Sequence, residues 1–303
     1  MNLKRVKVLV PATTANLGPG FDCLGVALDL WNEVTFTLQG SHLAVEIYGE
    51  GEGVLPANAR NLVVQAFNQF CEQNHVAMPA GLQVVCRNQI PLGSGLGSSA
   101  AAVLAGLYGA SEMLGIPAST EQILAYANQI EGHPDNAAAA LYGGLVVSAA
   151  AEQGLITRRF DLPDIPVAIA LGEIDLPTHA ARAALPQSIS LNDAIFNISR
   201  SVLVVEALRS GDLDLLSQSM QDRLHQPYRL PLMPGAAEAM QAALTHGARA
   251  AAISGAGPSM IAFANGDTNK IASEMQKAYQ SAGTPARAFC LRTTNQGIIV
   301  ERG

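Results

Sequence analysis

The spacing of apolar and polar residues changes several times along the chain, and each change predicts a different element. Residues 6–10 form a short apolar run that Pro11 ends, which predicts a first strand. Residues 34–38 and 43–48 alternate, the pattern of strands with one buried face. Between residues 61 and 75 the period becomes helical, with Leu62, Val63, Ala66, Phe67 and Phe70 on one stripe, and residues 81–87 return to a strand. Residues 91–97 are all Pro, Leu, Gly or Ser, and behind them an alanine-rich helix is predicted from about Ser99 to Leu114, where Gly115 and Pro117 stop it. Ser119 and Gln122 have the spacing of a capping box and predict another helix reaching about Ile130, ahead of a strand at 145–149.

At 151–161 the chain turns polar and charged before a new apolar run at 166–171, which sets a boundary near residue 160 and predicts two units, 1–160 and 161–303. The second unit reads as helices at 190–209, 212–223, 235–246 and 269–282, with strands at 250–254 and 260–264 and further strands at its end. This succession is that of an α+β fold, and no internal repeat interrupts it.

Composition narrows the class. Hydrophobic residues make up 49% of the 303 and charged ones 14%, the mix of a chain that buries a sizeable core unaided. The net charge of −7, with only 18 Lys and Arg, leaves no basic stripe for a phosphate backbone, so nucleic acid is not expected as a partner. Cys23, Cys71, Cys86 and Cys290 are scattered without a CxxC pair, which argues against a zinc site or a disulfide framework and for a reducing, cytoplasmic setting. The opening MNLKRVKVLVPA sets basic residues before an apolar run, but Pro11 cuts that run short, so it reads as a strand rather than a leader. The weakly polar stretch 137–151 is shorter than the ~20 apolar residues of a membrane span, so no membrane association is expected.

The most informative segment is PLGSGLGSSAA: Pro91, Leu92, Gly93, Ser94, Gly95, Leu96, Gly97, Ser98, Ser99, Ala100 and Ala101. Its three glycines let the backbone bend tightly and approach a ligand without Cβ interference. The helix behind it offers unpaired N–H groups and the positive end of its dipole, and Ser94, Ser98 and Ser99 add hydroxyls, so a nucleotide triphosphate fits there. A Walker A loop requires a lysine, and none stands between Lys7 and Lys270. A dinucleotide fingerprint requires GxGxxG behind the first strand, whereas this is GxGxG near residue 95. Four polar groups, Glu131, His133, Asp135 and Asn136, crowd into EGHPDN around the helix breaker Pro134. Magnesium that accompanies a nucleotide wants one or two carboxylate or hydroxyl oxygens beside phosphates and waters, and Glu131 with Ser98 would meet that demand.

These segments resemble the GHMP kinases, whose second motif looks like PxGxGLGSSAA. The resemblance extends to a first motif, PATTANLGPGFDCLGVALD at 11–29, and a third, SGAGPSM at 254–260, and so spans almost the whole chain. Within the family, ANLGPGFDCLG followed by EGHPDN and DRLHQPYR is the pattern of the homoserine kinases. The resemblance implies the GHMP kinase fold, an N-terminal domain of the ribosomal S5 domain 2-like type and a C-terminal ferredoxin-like domain, with ATP and the acceptor in the cleft between them. It implies transfer of the ATP γ-phosphoryl group to L-homoserine in threonine biosynthesis, with Mg²⁺ held by Ser98 and Glu131, and a homodimer.

An amino-acid acceptor brings an ammonium and a carboxylate, so its site needs an acid for one and an arginine fork for the other. By resemblance, Asn16, Asp22, His133 and Asp135 hold the amine and hydroxyl side, and Arg182 and Arg229 hold the carboxylate, with Thr178 nearby. Asp135 and Asn136 stand as the catalytic pair, orienting the hydroxyl. Some relatives pair an Asp with a Lys as base, a partner this sequence lacks. The backbone of Gly255, Ala256 and Gly257 is implied as a supporting phosphate loop. Two departures are visible: EGHPDN is shorter than in some homoserine kinases, and NAAA at 136–139 replaces the usual NAAP. The rival readings are another GHMP acceptor, such as mevalonate, a sugar or shikimate, and a non-catalytic metabolite sensor.

Overall fold

A computed structural model describes residues 5–152 and 154–303. The first sheet starts with β1 (Arg5–Ala15) and β2 (Leu24–Leu38), which pair antiparallel across a register shift between Pro11 and Ala12. Pro11 therefore does not end the strand as its sequence predicts. It sits at the bulge, where the missing N–H costs no ladder bond. β2 likewise begins ten residues before the predicted 34–38: its first five residues, Leu24–Leu28, are all buried, so no apolar–polar alternation announces them. β3 (Ala44–Gly49) runs parallel to β4 (Leu82–Asn88), with α1 (Leu62–Gln73) as the crossover between them.

α2 (Ser98–Leu114) packs against α1 and β1, and α3 (Thr120–Glu131) carries the predicted Ser119–Gln122 capping box. Then comes α4 (Asp135–Tyr142), which the sequence reading missed because DNAAAALY is almost entirely buried and has no periodic polar face. β5 (Leu145–Ala151) pairs with the first half of β2 and, antiparallel, with β6 (Gly154–Phe160). The polar stretch ahead of the predicted boundary is thus an edge strand, whose exposure alternates along its length.

The second sheet is antiparallel, in the order β10–β7–β9–β8, from β7 (Pro166–Gly172), β8 (Ala250–Ile253), β9 (Ser259–Phe263) and β10 (Ala286–Arg292). Ala168 and Ala170 on one face of β7 join the core under α9 (Ala236–Thr245) and α10 (Thr268–Ser281). Val167 and Ile169 on the other face join the core of the first sheet, together with Val204 and Leu208 of α6 (Leu191–Ser210). The two sheets thereby share buried side chains. The last strand, β11 (Ile299–Arg302), crosses back to pair with β1.

Short helix α5 (Thr178–Ala183) follows β7. The predicted helix 212–223 stops early: α7 spans Leu213–Ser219, and a separate turn, α8 (Gln226–Arg229), starts after an irregular stretch. The cause is Asp222, whose carboxylate accepts the N–H groups of Leu224, His225 and Gln226 at 2.6–2.9 Å and offers the backbone an alternative to continuing the helix.

Candidate active site

Four segments distant in sequence meet around one cavity of about 740 Å³: the glycine loop with the N-terminus of α2, the turn between α3 and α4, the start of α5, and the β8–β9 connection. Gly93, Gly95 and Gly97 all adopt positive φ (57°, 76° and 75°), yet each is glycine for its own reason. A Cβ on Gly95 would overlap the Ser254 carbonyl oxygen and lie 2.9 Å from that of Gly257. One on Gly97 would overlap the Thr13 hydroxyl. A Cβ on Gly93, which lines the cavity, would meet no described atom within 4 Å. The loop is held by Thr13 N–H donating to Leu96 O (3.0 Å) and by the Ser254 hydroxyl, 2.8 Å from Gly95 O.

Of the eleven residues assigned to this motif, Gly93, Ser94, Gly95, Gly97, Ser98, Ser99 and Ala100 line the cavity. Leu96 and Ala101 are core residues that anchor the motif, and Pro91 is buried beside them. The Ser94 hydroxyl donates to Pro91 O (2.7 Å) and accepts from Leu96 N (3.2 Å), so it shapes the loop rather than facing a ligand. Gly255, Ala256 and Gly257 line the cavity from the opposite loop.

The turn between α3 and α4 brings Glu131, His133 and Asn136 to the cavity wall. Glu131 Oε1 accepts from the Ser99 hydroxyl at 2.5 Å, so the serine it engages is Ser99, with Ser98 lining the cavity beside it. Burial pushes the Glu131 carboxyl up, against the opposing effects of the Ser99 hydrogen bond and His133. Buried Asp135 Oδ1 accepts from Asn136 N (2.8 Å) and Asn136 Nδ2 (3.3 Å) and lies 3.1 Å from His133 Nδ1, a contact that raises the His133 pKa. Asn136 Oδ1 in turn accepts from the Thr13 hydroxyl (2.8 Å), tying this turn to β1.

On the far side, Arg182 of α5 grips Asp22 with a two-pronged fork, Nη1 to Oδ2 at 2.7 Å and Nη2 to Oδ1 at 2.8 Å. Thr178, His179 and Arg182 line the cavity. Arg229 is buried, 1% exposed, and donates only to neutral acceptors: Nε to Ala181 O (3.3 Å), Nη1 to Gly255 O (3.2 Å) and His225 Nδ1 (3.4 Å). Among the described residues no carboxylate pairs with it. Burial, and next the nearby Arg182, push the guanidinium down from its ordinary value, but arginine stays charged in proteins. Although it stands beside prolines in the sequence, Arg229 is a desolvated cation. Both arginines lie over the Phe21 ring, at 5.4 Å for Arg182 and 5.0 Å for Arg229.

Asn16 uses its side chain to brace the site: Oδ1 accepts from Asp22 N (2.9 Å) and Nδ2 donates to Gly255 O (2.6 Å). The Cys23 thiol in this loop is pushed up to about 11, mainly by burial and then by the charges of Asp135 and Asp22. Sequence reasoning missed Thr13, Phe21, His179 and His225, since none has a local pattern that marks it. It also missed a second cavity of about 320 Å³ that adjoins the first through Gly93, Ser98 and Ser99 and is walled by Leu55, Pro56, Asn61, Leu62 and Asn88. Asn61 was visible only as the start of a helix, which it does cap through Val63 N (3.0 Å).

Comparison with known proteins identifies the family. Residues 61–144 match the GHMP kinases N terminal domain and residues 204–281 the GHMP kinases C terminal model. A homoserine kinase of Moorella thermoacetica is 42% identical over 97% of this chain and 99% of its own length. A homoserine kinase of Synechococcus is 41% identical over 98% of each chain. Among solved structures, homoserine kinase from Cytophaga hutchinsonii superposes with a TM-score of 0.87 at 31% identity over 98% of both chains. L. major mevalonate kinase, with a TM-score of 0.68 at 18% identity over 98% of this chain and 96% of its own, shares the fold alone. The glycine loop, the EGHPDN turn and the paired arginines therefore lie in a chain that belongs to the GHMP kinases and, within them, to the homoserine kinase family.

Proposed function

We propose that the chain transfers the γ-phosphoryl group of ATP to the side-chain hydroxyl of L-homoserine, giving O-phospho-L-homoserine and ADP. The observation that carries this reading is the charge layout opposite the glycine loop: the Asp22–Arg182 fork at the cavity, with the buried, carboxylate-free Arg229 behind it. A zwitterion exchanges into such a pair, its ammonium taking Asp22 and its carboxylate taking the guanidinium groups. Mevalonate, sugars and shikimate lack the ammonium.

The triphosphate is assigned to the N-terminus of α2, where Gly97 in the left-handed region leaves the first N–H groups of the helix free of a side-chain cap. The adenosine end is assigned to the smaller adjoining cavity. The donor set fits Mg²⁺: one desolvated carboxylate, Glu131, beside the hydroxyls of Ser98 and Ser99, with room for phosphate and water oxygens. Bound there, the ion would neutralise charge on the phosphates. The protein's own part is alignment. Asp135 and Asn136, fixed by His133 and Thr13, orient the acceptor hydroxyl, whose oxygen forms the new P–O bond as the bond to ADP breaks and the hydroxyl proton is released to solvent.

In this reading 1–160 and 161–303 are the two units that frame the cleft, supported by the membership of β1–β6 in one sheet and β7–β10 in the other, with β11 alone returning to the first. The setting is cytoplasmic, in keeping with four free thiols; among the described residues no helix is long and apolar enough to cross a membrane. The active form is a homodimer, for which α6 offers exposed Leu191, Ile195, Ile198 and Val202 at spacings of a helix–helix seam, with no charge among them.

The test measures ADP release from Mg·ATP with L-homoserine, mevalonate, galactose, shikimate or no acceptor. Turnover confined to homoserine is expected; turnover with a different acceptor would discard the roles of Asp22, Arg182 and Arg229 while leaving the nucleotide assignment intact. Light scattering on the wild-type protein and an Ile198→Asp variant checks the dimer.

A further inference from the structure

The motif DRLHQPYR supplies Arg229 to the site, but its histidine has no role in the reading above. His225 is fully buried. Its backbone position is fixed by Asp222 Oδ2, which accepts His225 N at 2.9 Å and Gln226 N at 2.6 Å, while Asp222 Oδ1 accepts Leu224 N and the Asn197 amide. The ring nitrogens lie 2.8 Å from Gly18 O (Nε2) and 3.4 Å from Arg229 Nη1 (Nδ1). A carbonyl oxygen only accepts and a guanidinium only donates. Nε2 must therefore carry the proton and Nδ1 the lone pair, so the imidazole is neutral. Burial favours the same state and holds the ring down at about 4, although Asp222 and Asp22 face it and work the other way.

The donor count of Arg229 shows what this achieves. Of its five N–H groups, Nε–H goes to Ala181 O, and the two on Nη1 go to Gly255 O and His225 Nδ1. The Nη2 pair has no protein acceptor among the described residues. The His225 ring also stacks on Phe21 at 5.2 Å, the ring that both arginines overlie, and its Nε2–H donates to Gly18 O.

We infer that His225 is a positioning residue for the acceptor carboxylate: its Nδ1 lone pair occupies the second Nη1–H of Arg229 and fixes the guanidinium with its Nη2 edge free. This rests on the proposed reading that Arg229 receives that carboxylate. The alternative is that His225 merely fills the core.

Two variants separate these. Asn places an acceptor near the Nδ1 position and keeps the Arg229 bond while losing Gly18; Gln places a donor near Nε2 and keeps Gly18 while leaving Arg229 Nη1 unpaired. Wild-type turnover of homoserine is measured first; if there is none, the proposed function falls and this inference with it. With a working wild type, His225→Gln is expected to raise the homoserine KM about tenfold or more with the ATP KM within about twofold, and His225→Asn to stay within about threefold of wild type. With 2-amino-1,4-butanediol, which lacks the carboxylate, the ratio of His225→Gln to wild type should be near one. Equal losses in both variants, equal losses with both acceptors, or a lowered Tm with unchanged KM overturn the inference while leaving the function standing. The wild-type protein gives a check that needs no variant: the ¹⁵N spectrum of labelled histidine at pH 7 must show His225 protonated on Nε2 only, and a proton on Nδ1 refutes the assignment.

Discussion

Two glycines two residues apart should fail differently when each is replaced by alanine. Gly93 and Gly95 share a left-handed backbone, so either substitution costs about 1–2 kcal/mol of conformational strain. At Gly95 the new methyl also meets two backbone oxygens, those of Ser254 and Gly257, neither of which can swing aside as a side chain would. Separating the loops puts at risk the buried Ser254 hydroxyl contact to Gly95 O at 2.8 Å and the Ser259 N to Ser94 O bond at 3.3 Å, each about 1–3 kcal/mol when left unmade. Gly95→Ala should therefore lose about 3–8 kcal/mol, and Gly93→Ala only the strain. At 2–4 °C per kcal/mol, Tm falls by about 10 °C or more in the first and about 4 °C in the second. The functional order reverses among folded molecules: the Gly93 methyl meets no protein atom within 4 Å and stands on the wall of the cavity to which the triphosphate is assigned, so the ATP KM should rise about tenfold in Gly93→Ala. Thermal unfolding by circular dichroism and initial rates against ATP suffice. Equal Tm losses, or a Gly93→Ala enzyme with a wild-type ATP KM, would refute the reasoning.

Glu131→Gln should raise the free Mg²⁺ needed for half-maximal rate about tenfold. Because the Glu131 pKa is raised by burial, its ionised form is a burden on the fold; the variant should gain stability over wild type as pH climbs above the ordinary carboxylate range, and a Tm gap that shrinks instead contradicts the assignment. His133 has the opposite chemistry: its raised pKa means that pairing with Asp135 stabilises fully below about pH 6.5, and the stabilisation is lost as pH rises through the folded value. The Tm advantage of wild type over His133→Asn should accordingly be largest near pH 6 and shrink toward pH 9. Arg287 of β10 bridges Glu50 at 2.6 and 3.3 Å, just ahead of the loop that places Leu55 and Pro56 against the smaller cavity; Arg287→Met should raise the ATP KM about two- to fivefold with kcat and the homoserine KM unchanged.

How much of this was legible beforehand depended on whether the signal was local. The glycine loop was readable because three left-handed residues before a helix demand glycine wherever they occur, and the capping box at Ser119 because its partners are three residues apart. The first half of β2 and all of α4 were not readable, since elements buried on every side lose the periodicity that amphipathic ones display. β6 failed for the opposite reason: its edge position tolerates a polar sequence that looks like a linker. In the site, Arg182 and Arg229 were both bland surface arginines by local context, and the residues that give them meaning are remote: Asp22 lies 160 positions from the first, and Gly255 and Ala181 enclose the second.

The sequence by itself determined the chemistry on offer: a glycine loop ahead of a helix start, a cluster of acid, imidazole and amide at 131–136, and cations enough for a carboxylate. The tertiary structure decided which of these meet and in what state. It spent the Ser94 hydroxyl on its own loop, set Ser99 rather than Ser98 on Glu131, left Arg229 charged without a carboxylate, and fixed the His225 proton on Nε2. The physical reason is that burial and hydrogen-bond complement are properties of contacts between segments hundreds of residues apart, and no local pattern of residues encodes them.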